Sequence, residues 1–563
     1  MKTTPNTTLL IGGRVHSPAT DGNTAGGNTA DATAMAVRGD TVLWVGSSAQ
    51  ARSRFSGPDV EVVRLDGAFV APAFVDAHVH ATAAGLLLTG LDLTACSSLP
   101  ECLDAVRRFA AASGAPVLWG HGWDETRWRS GPRRPPTRAE LDDAVAGRPV
   151  YLSRIDVHSA LVSSTLAARA AGLAGYSVDG PLSRDAHHAV RRAAQAGVTA
   201  AQRRAAQRAF LEFAASRGIG CVHECGGPDI SAVDDLRDLL SAPDGPSVVG
   251  YWGELVCCAE QAREVLAGTG AHGLAGDLFA DGALGSRTAA LHAPYLDAPD
   301  SCGALYLSAA QIADHVLACT EVGVQAGFHV IGDAGVATVV SGFAQAARSA
   351  GHDVLAARTH RVEHLEMVSP PQAAVLARCG VVASVQPQFD AAWGGPDGMY
   401  AQRLGADRAL AMNPFAALSC AGMTLAFGSD APVTPVDPWA SVRAAVQHRT
   451  PSSRVSPEAA FAAHTLGGAL AAGTPQTPHA PHTPHTAISG LIAVSGPPSH
   501  RDTSAYRGKG DGGPGVLVAG AAATYAVWDA DGLDAAVAGA SPRCLRTVVL
   551  GRTIFTGEGA LRT

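Results

Sequence analysis

The chain repeats one pattern between about residue 74 and residue 470: a short apolar run, a loop that begins with a polar residue, and an alanine-rich stretch of helical periodicity. Short apolar runs that alternate with helical stretches are typical of an α/β protein with a parallel sheet. About eight such units favour a (β/α)8 TIM-type barrel, whose chemistry lies at the C-terminal ends of the strands. The candidate strands are residues 74–80, 117–119, 150–153, 219–222, 248–252, 278–279, 324–329, 361–364, 381–385 and 425–428.

Both chain ends show a different pattern, in which short apolar runs alternate with turns. Residues 9–11, 34–37 and 42–45 are apolar runs separated by glycine-containing pairs, which is typical of β-hairpins. Residues 524–528, 547–550 and 553–555 are strand-like again. We therefore predict a small β-sandwich domain built from residues 1–72 and 515–563, which flanks a barrel of residues 73–472.

Residues 473–514 form a low-complexity insertion between the barrel and the C-terminal strands. A polyproline helix has three residues per turn, so histidines at that spacing would line one face and could bind a metal loosely. We favour the alternative of a solvated insertion, because such a composition cannot bury a core. The regularly spaced residues are Pro475, Pro478, Pro481 and Pro484, with His479, His482 and His485 in step.

The composition of the chain excludes several classes of binding partner and location. A formal charge of −8 gives no overall attraction to nucleic acid or anionic lipid. No stretch offers about 18 consecutive apolar residues, and the apolar run at residues 9–11 is too short for a secretory signal. Eleven scattered cysteines, an odd number, favour reduced thiols in the cytoplasm. We expect a cytoplasmic protein with a small-molecule substrate, and the sequence leaves its oligomeric state open.

Lysine is almost absent, because only Lys2 and Lys509 occur in the whole chain. Between those two positions a Schiff-base lysine, a phosphate-loop lysine and a carbamylated lysine that bridges two metals are all excluded.

Polar residues at four predicted strand ends are the candidate chemistry. His78 and His80 lie two apart on a strand, so both side chains point to one face, and imidazole pairs are natural zinc ligands. His329, His364 and Asp430 end three further strands. A catalytic metal needs about three protein ligands and an open position for water, whose pKa it lowers toward about 7. Asp430 is placed to act as the general base.

These motifs resemble those of the amidohydrolase superfamily. The strand-end motifs are residues 75–80 (VDAHVH), 329–333 (HVIGD), 361–364 (RVEH) and 428–430 (GSD). Residues 281–289 (DGALGSRTA) and 121–128 (HGWDETRW) resemble the branch often called amidohydrolase 3, which includes N-substituted formamide deformylases. The resemblance implies a metal-dependent hydrolase that acts on a carbon–nitrogen bond other than a peptide bond. Deamination or ester hydrolysis on the same scaffold, or ligand binding without turnover, are the alternatives.

The resemblance also implies roles for individual residues. It makes His78, His80, His329 and His364 ligands of a divalent metal, with zinc favoured, and Asp430 the metal-bound general base. His364 either coordinates the metal or hydrogen-bonds the water or substrate, so it is also counted as catalytic.

Four further residues are assigned to the substrate side of the site. His158 would lie near the substrate carbonyl, and the alternative is a hydrogen-bonded histidine in a loop. Trp123, Asp124 and Trp128 would line the substrate pocket, and the alternative is packing within the segment inserted after the first strand.

One departure from the family concerns metal number. Many relatives carry a lysine, thought to be carboxylated, where this chain has Asp277. A carbamylated lysine holds its oxygens roughly 8 Å from its Cα and an aspartate roughly 3.5 Å, so Asp277 is expected to fall short of that space unless the backbone moves. Either the site holds one metal, which we favour over two, or Glu224 reaches in as the longer carboxylate. The alternative for both carboxylates is to fix the tautomer of a histidine.

Overall fold

The computed structural model describes residues 7–18, 32–125, 128–155, 159–473 and 515–558. Residues 474–514, which include nearly all of the predicted Pro/His insertion, lie outside the described residues. His158 lies outside them as well.

The N-terminal residues contribute strands to two sheets. The first sheet has the strand order β4-β3-β1-β5, in which β3 runs antiparallel and β5 parallel to β1. The elements are β1 (Thr7–Ile11), β2 (Arg14–Val15), β3 (Ala34–Arg38), β4 (Thr41–Gly46), α1 (Ser48–Arg54), β5 (Val60–Arg64) and β6 (Phe69–Pro72).

The second sheet joins the two chain ends, as predicted. Its strand order is β2-β6-β19-β20-β21, with β19 (Tyr525–Trp528), β20 (Cys544–Val549) and β21 (Arg552–Thr556). β6 pairs antiparallel with β19, so Val70 lies opposite Val527. Buried residues of both sheets, among them Leu10, Val70 and Val527, form one apolar cluster.

Two parallel sheets form the central part of the chain. The first has the order β14-β13-β7 and the second β15-β16-β17-β18. Isolated parallel bridges link them. On one side Tyr251 of β14 pairs with Gly273 and the adjacent Leu274 pairs with Ala326, and on the other side Val79 pairs with Ala431. The strands are β7 (Phe74–Val79), β13 (Ile219–Gly226), β14 (Ser247–Trp252), β15 (Gly327–Val330), β16 (Arg361–His364), β17 (Val382–Val385) and β18 (Leu425–Phe427).

Two of the predicted barrel strands belong elsewhere. Residues 117–119 and 150–153 lie in a separate sheet of order β12-β11-β10-β9-β8, so their assignment to the barrel was wrong. β11 runs antiparallel to both of its neighbours, β10 and the edge strand β12, and the sheet packs its own apolar core against α3 and α4. Its strands and those two helices are β8 (Leu91–Asp92), β9 (Leu118–Trp123), β10 (Val150–Arg154), β11 (Ser159–Val162), β12 (Leu182–Ser183), α3 (Leu99–Ala112) and α4 (Arg138–Ala144).

Helices follow most strands of the parallel sheets. The closest contact is between α2 and α7, where a Cβ on Gly85 would lie 2.0 Å from the carbonyl oxygen of Ala206. No helix of the described residues combines the length and the apolar character needed to cross a membrane. The remaining helices are α2 (Ala81–Thr89), α5 (Ser164–Ala167), α6 (Arg184–Ala196), α7 (Ala200–Ser216), α8 (Val233–Leu240), α9 (Ala259–Thr269), α10 (Ala309–Val322), α11 (Asp333–Ala350), α12 (His352–Ala356), α13 (Pro370–Arg378), α14 (Pro387–Trp393), α15 (Met399–Leu404), α16 (Ala406–Leu410), α17 (Phe415–Cys420), α18 (Pro438–Val446), α19 (Pro457–Ala462), α20 (Gly468–Ala471) and α21 (Leu533–Ala538), with a π-helix at Ala463–Gly467 and 3-10 turns at Ala168–Ala170 and Pro451–Ser453.

Candidate metal centre

The carboxyl ends of four parallel strands bring the predicted ligands together. His78 lies near the end of β7 and His80 is the N-cap of α2, which follows directly. His329 lies in β15, His364 ends β16, and Asp430 lies in the loop after β18. All five side chains are nine-tenths buried or nearly so. The structure therefore brings together the candidate ligands that were predicted at the strand ends.

Asp277 lies at the centre of the four histidines. Its Oδ1 is 3.5 Å from His78 Nε2, 3.6 Å from His329 Nδ1 and 3.6 Å from His364 Nε2. Its Oδ2 is 3.2 Å from His80 Nε2. The carboxylate of Asp277 therefore reaches the four histidines, which the side-chain lengths alone did not predict.

Asp430 contacts the other side of the first histidine pair. Its Oδ1 is 3.5 Å from His78 Nε2 and 3.2 Å from His80 Nε2. Its backbone N–H donates to the carbonyl of His78 at 2.7 Å, and the carboxylate of Asp76 accepts the N–H of Ser429 at 2.7 Å. These bonds fix the loop after β18 against β7.

The spacing of these donor atoms suits a metal ion. Bonds of about 2.0–2.2 Å at tetrahedral angles place two ligand atoms of one zinc about 3.3–3.6 Å apart. The separations of 3.2 to 3.6 Å match that range and are long for hydrogen bonds to a carboxylate.

The atoms that converge here lack other partners. Buried nitrogen and oxygen atoms are nearly always hydrogen-bonded, so a group of unpartnered ones requires an explanation. Imidazole nitrogens with carboxylate oxygens are the donor set of zinc and similar divalent cations. A divalent cation among them would explain all of them at once. The unpartnered atoms are His78 Nε2, His329 Nδ1, His364 Nε2, Asp277 Oδ1 and Asp430 Oδ1.

Three of the histidines are fixed through their second ring nitrogen. That nitrogen donates to an oxygen that can only accept, so the nitrogen facing the centre is left with its lone pair. The ring orientation needed for coordination is therefore built into the fold. The pairs are His78 Nδ1 with Glu363 Oε2 (2.9 Å), His364 Nδ1 with Gln386 Oε1 (2.9 Å) and His329 Nε2 with the carbonyl of Gly282 (3.3 Å).

The charges of the site depend on one another. Burial alone would raise the pKa of the Asp277 carboxyl, but attraction to His78 and contact with the other imidazoles hold that pKa well below its usual value. The pKa of Asp430 is lowered in the same way. Burial disfavours the charged form of His80, yet the two carboxylates outweigh it and raise its pKa to about 9. A bound cation would replace these protons as the partner of the carboxylates.

Strained backbone occurs at two ligand positions. His364 has a φ of 67° and Asp430 a φ of 52°, in the left-handed region that non-glycine residues rarely adopt. Such strain concentrates at functional sites, where the surrounding structure holds it in place.

Glu224 does not join the cluster. Its Oε2 accepts the backbone N–H of Ala81 at 2.7 Å, at the start of α2. Burial raises the pKa of this carboxyl to about 7. Glu224 therefore supports the start of the helix that follows His80, a contact that differs from the tautomer-fixing role considered for it.

The residues predicted to line the substrate pocket pack within the separate sheet of strands β8 to β12. Trp123 and Trp128 are each 1% exposed and lie in its apolar core, as the packing alternative states. The Trp123 indole N–H donates to the carbonyl of Leu152 at 2.9 Å. Asp124 forms an ion pair with Arg154 at 2.9 Å.

Sequence reasoning missed a buried pair behind the site. Arg361 and Glu363 have fully buried side chains on β16 and form an ion pair with each other. Two charged residues at alternate positions of a buried strand were a signal of such a pair, because alternate side chains share one face.

Comparison with known proteins gives consistent matches. A family model described as the amidohydrolase family matches residues 61–477. The chain is 28% identical over 489 residues to "Protein LONG AFTER FAR-RED 3" of Arabidopsis thaliana, covering 78% of this chain and 80% of the relative. It is 27% identical over 456 residues to "Putative amidohydrolase YtcJ" of Bacillus subtilis (strain 168), covering 75% and 82%.

A solved structure is similar in fold. It is described as an uncharacterized metal-dependent hydrolase from Pyrococcus furiosus, with a TM-score of 0.67 and 26% identity. The match covers 83% of this chain and 94% of that one. The histidine cluster of this chain thus lies in a fold that is similar to that of a metal-dependent hydrolase.

Proposed function

Because the chain belongs to the amidohydrolase family of metal-dependent hydrolases, we propose that it hydrolyses an amide-type or formamide-type carbon–nitrogen bond other than a peptide bond. The observation that carries the proposal is the group of five unpartnered donor atoms at the strand ends. The sequence likeness to N-substituted formamide deformylases supports this bond type over the alternatives of ester hydrolysis and deamination.

These residues would hold a divalent metal, zinc in our proposal, which would supply a water of lowered pKa and an electrophile for the substrate carbonyl. Asp430 accepts the proton of the attacking water and returns it to the leaving nitrogen. Because His364 Nδ1 donates to Gln386 Oε1, its Nε2 can accept a hydrogen bond from the attacking water. The negative carboxylates of Asp277 and Asp430 would balance the positive charge of the cation, which neutral imidazoles cannot do.

We propose one metal per chain. Asp277 Oδ1 contacts three of the four histidines, so these side chains converge on a single position. A second cation would need its own set of about three donors. The two candidate triads, His78–Asp277–His364 and His78–His80–Asp430, share His78, so one imidazole would have to serve both. We propose that the ligands come from the side chains around this position, which are His78, His80, His329, His364, Asp277 and Asp430.

The domain organisation forms part of the proposal. We propose that the two parallel sheets and the segment between them close into a (β/α)8 barrel of residues 73–472. The sheets at the chain ends, from residues 1–72 and 515–563, form the β-sandwich, and residues 473–514 are an insertion between the two.

The test combines metal content with an Asp430→Asn variant. The wild type is expected to hold one zinc per chain and to hydrolyse members of a panel of formamides, cyclic amides and N-acyl compounds. Asp430→Asn should lower kcat by about 10²–10⁴-fold, because the amide cannot take a proton. Asp529→Asn, an exposed residue distant from the site, is the matched control and should keep wild-type activity.

Two results would overturn the proposal. One is a wild type that purifies without stoichiometric metal and gains none from zinc. The other is unchanged turnover in Asp430→Asn. Esters and aminopurines are assayed beside this panel, and preferred turnover of either would instead assign esterase or deaminase activity to this site.

A further inference from the structure

Glu363 contacts the ring nitrogen of His78 that faces away from the proposed metal position. Its Oε2 accepts a hydrogen bond from His78 Nδ1 at 2.9 Å, and neither side chain is exposed. A carboxylate can only accept, so the proton stays on Nδ1 and the lone pair of Nε2 points toward Asp277 and Asp430. The hydrogen bond thus selects one of the two tautomers of His78.

Arg361 holds Glu363 in that position. Its Nε donates to Glu363 Oε1 at 2.5 Å and its Nη2 to Glu363 Oε2 at 3.0 Å. This two-point contact fixes the plane of the carboxylate, which a single hydrogen bond could not do. The remaining contacts of the guanidinium are the carbonyl of Ala77 (2.6 Å), Ser384 Oγ (3.0 Å), His223 Nδ1 (3.1 Å) and the ring of Tyr251 (4.3 Å to its centroid).

Both charges are costly in this position. Taking a guanidinium and a carboxylate out of water costs several kcal/mol per ion, and an apolar pair of similar volume is often as stable. Stability alone therefore gives no reason for a buried ion pair inside the sheet. The hydrogen bond to a candidate metal ligand does give one, because outer partners of ligating histidines set ring orientation and basicity.

We propose that Glu363, held by Arg361, is a positioning residue that sets the tautomer and orientation of His78 and thereby the affinity of the site for its divalent cation. The inference rests on the proposed metal site. It extends that site by two residues that touch neither the cation nor the substrate.

Zinc affinity of the metal-free protein, measured by competition with a chromophoric chelator, tests the inference without a substrate. Glu363→Ala should bind zinc about 10–100-fold more weakly than wild type. Glu363→Gln keeps an oxygen that accepts from His78 Nδ1, so its affinity should lie between those of Glu363→Ala and wild type. Ser384→Ala removes a contact of Arg361 that does not reach His78, and should change the affinity less than threefold.

A purely structural role would give a different pattern. It would lower the Tm of the metal-free variants while the folded protein kept wild-type affinity, and that result overturns the inference. If a single variant does not fold, the double variant Arg361→Met, Glu363→Leu removes both charges together and decides the matter by the same affinity measurement. A wild type that binds no zinc would instead refute the proposed function.

Discussion

A short carboxylate can lie at the centre of four histidines only where the backbone carries it there. Asp277 follows Gly276, whose φ of 82° is in the left-handed region. A Cβ on Gly253, at the end of β14, would lie 2.7 Å from the carbonyl carbon of Asp277. Two glycines thus let this segment approach the strand ends. Side-chain lengths alone could not predict this approach, because it depends on the path of the backbone.

Asp277→Asn should bind zinc at least about 10-fold more weakly than wild type. The amide keeps the size of the carboxylate but removes the negative charge that three histidine nitrogens and the cation share. The measurement is the chelator competition used above. Glu224→Gln is the matched control, because Glu224 is equally buried yet bonds to the start of α2. Equal affinities in the two variants would contradict a ligand role for Asp277.

Single residues were predictable where their position alone defines a role. A histidine or aspartate at the point where an apolar strand stops has to face the same edge as its counterparts, so His78, His329, His364 and Asp430 could be found from the sequence. Glu363 depends on a partner 285 positions away. No local sequence pattern identifies His78 as that partner, because only the folded sheet brings the two residues together.

At the scale of elements, α10 is joined to the parallel sheets by a buried histidine. His315 Nδ1 accepts the N–H of Val256 at 3.2 Å, and its Nε2 donates to the carbonyl of Leu274 at 3.0 Å. One nitrogen accepts and the other donates, so the neutral ring satisfies both contacts. Burial lowers the pKa of His315 to about 4.

Acid should therefore weaken this junction in a defined pH range. The unfolded chain binds a proton at His315 near pH 6.5, whereas the folded protein does so only near pH 4. Stability from the neutral ring is complete above about pH 6.5 and is lost as the pH falls through that interval. His315→Asn should be less stable than wild type at pH 7.5, and the gap in unfolding free energy should shrink by a few kcal/mol toward pH 4.

Urea unfolding of the metal-free proteins at several pH values measures this gap. The exposed His352 provides the control, since His352→Asn should follow wild type at every pH. A gap for His315→Asn that stays constant from pH 7.5 to pH 4 would show that the buried ring does not titrate as described.

The strand pattern located elements more reliably than it located their sheets. The apolar runs at residues 117–119 and 150–153 are strands, as predicted, and they are parallel to each other. An apolar run with a following helix looks the same in a barrel and in a separate small sheet, because both bury the strand. The difference lies in β11, which returns antiparallel beside β10, and in the helices that cover the second core.

At the scale of the whole molecule, the two chain ends share one sheet and that sheet contacts β7, the strand that carries His78. The hairpin patterns at both ends predicted the pairing, since neither end supplies enough strands to cover its own apolar faces. Trp528 of β19 packs edge-on against Phe74, the first residue of β7, with ring centroids 5.7 Å apart. Its ring is also 5.4 Å from that of Trp439 on α18.

Trp528→Ala should therefore destabilise the two parallel sheets as well as the sheet at the chain ends. The indole is 1% exposed and its loss leaves a cavity, so the expected cost is about 3–5 kcal/mol. Val178→Ala, at a residue that is 78% exposed, is the control and should cost less than about 0.5 kcal/mol. Because β7 carries His78, zinc release during urea unfolding should move to lower urea together with the loss of tryptophan fluorescence. If fluorescence shifted while zinc release stayed at the wild-type midpoint, the chain ends and the metal centre would unfold independently, and the aromatic contact would not couple them.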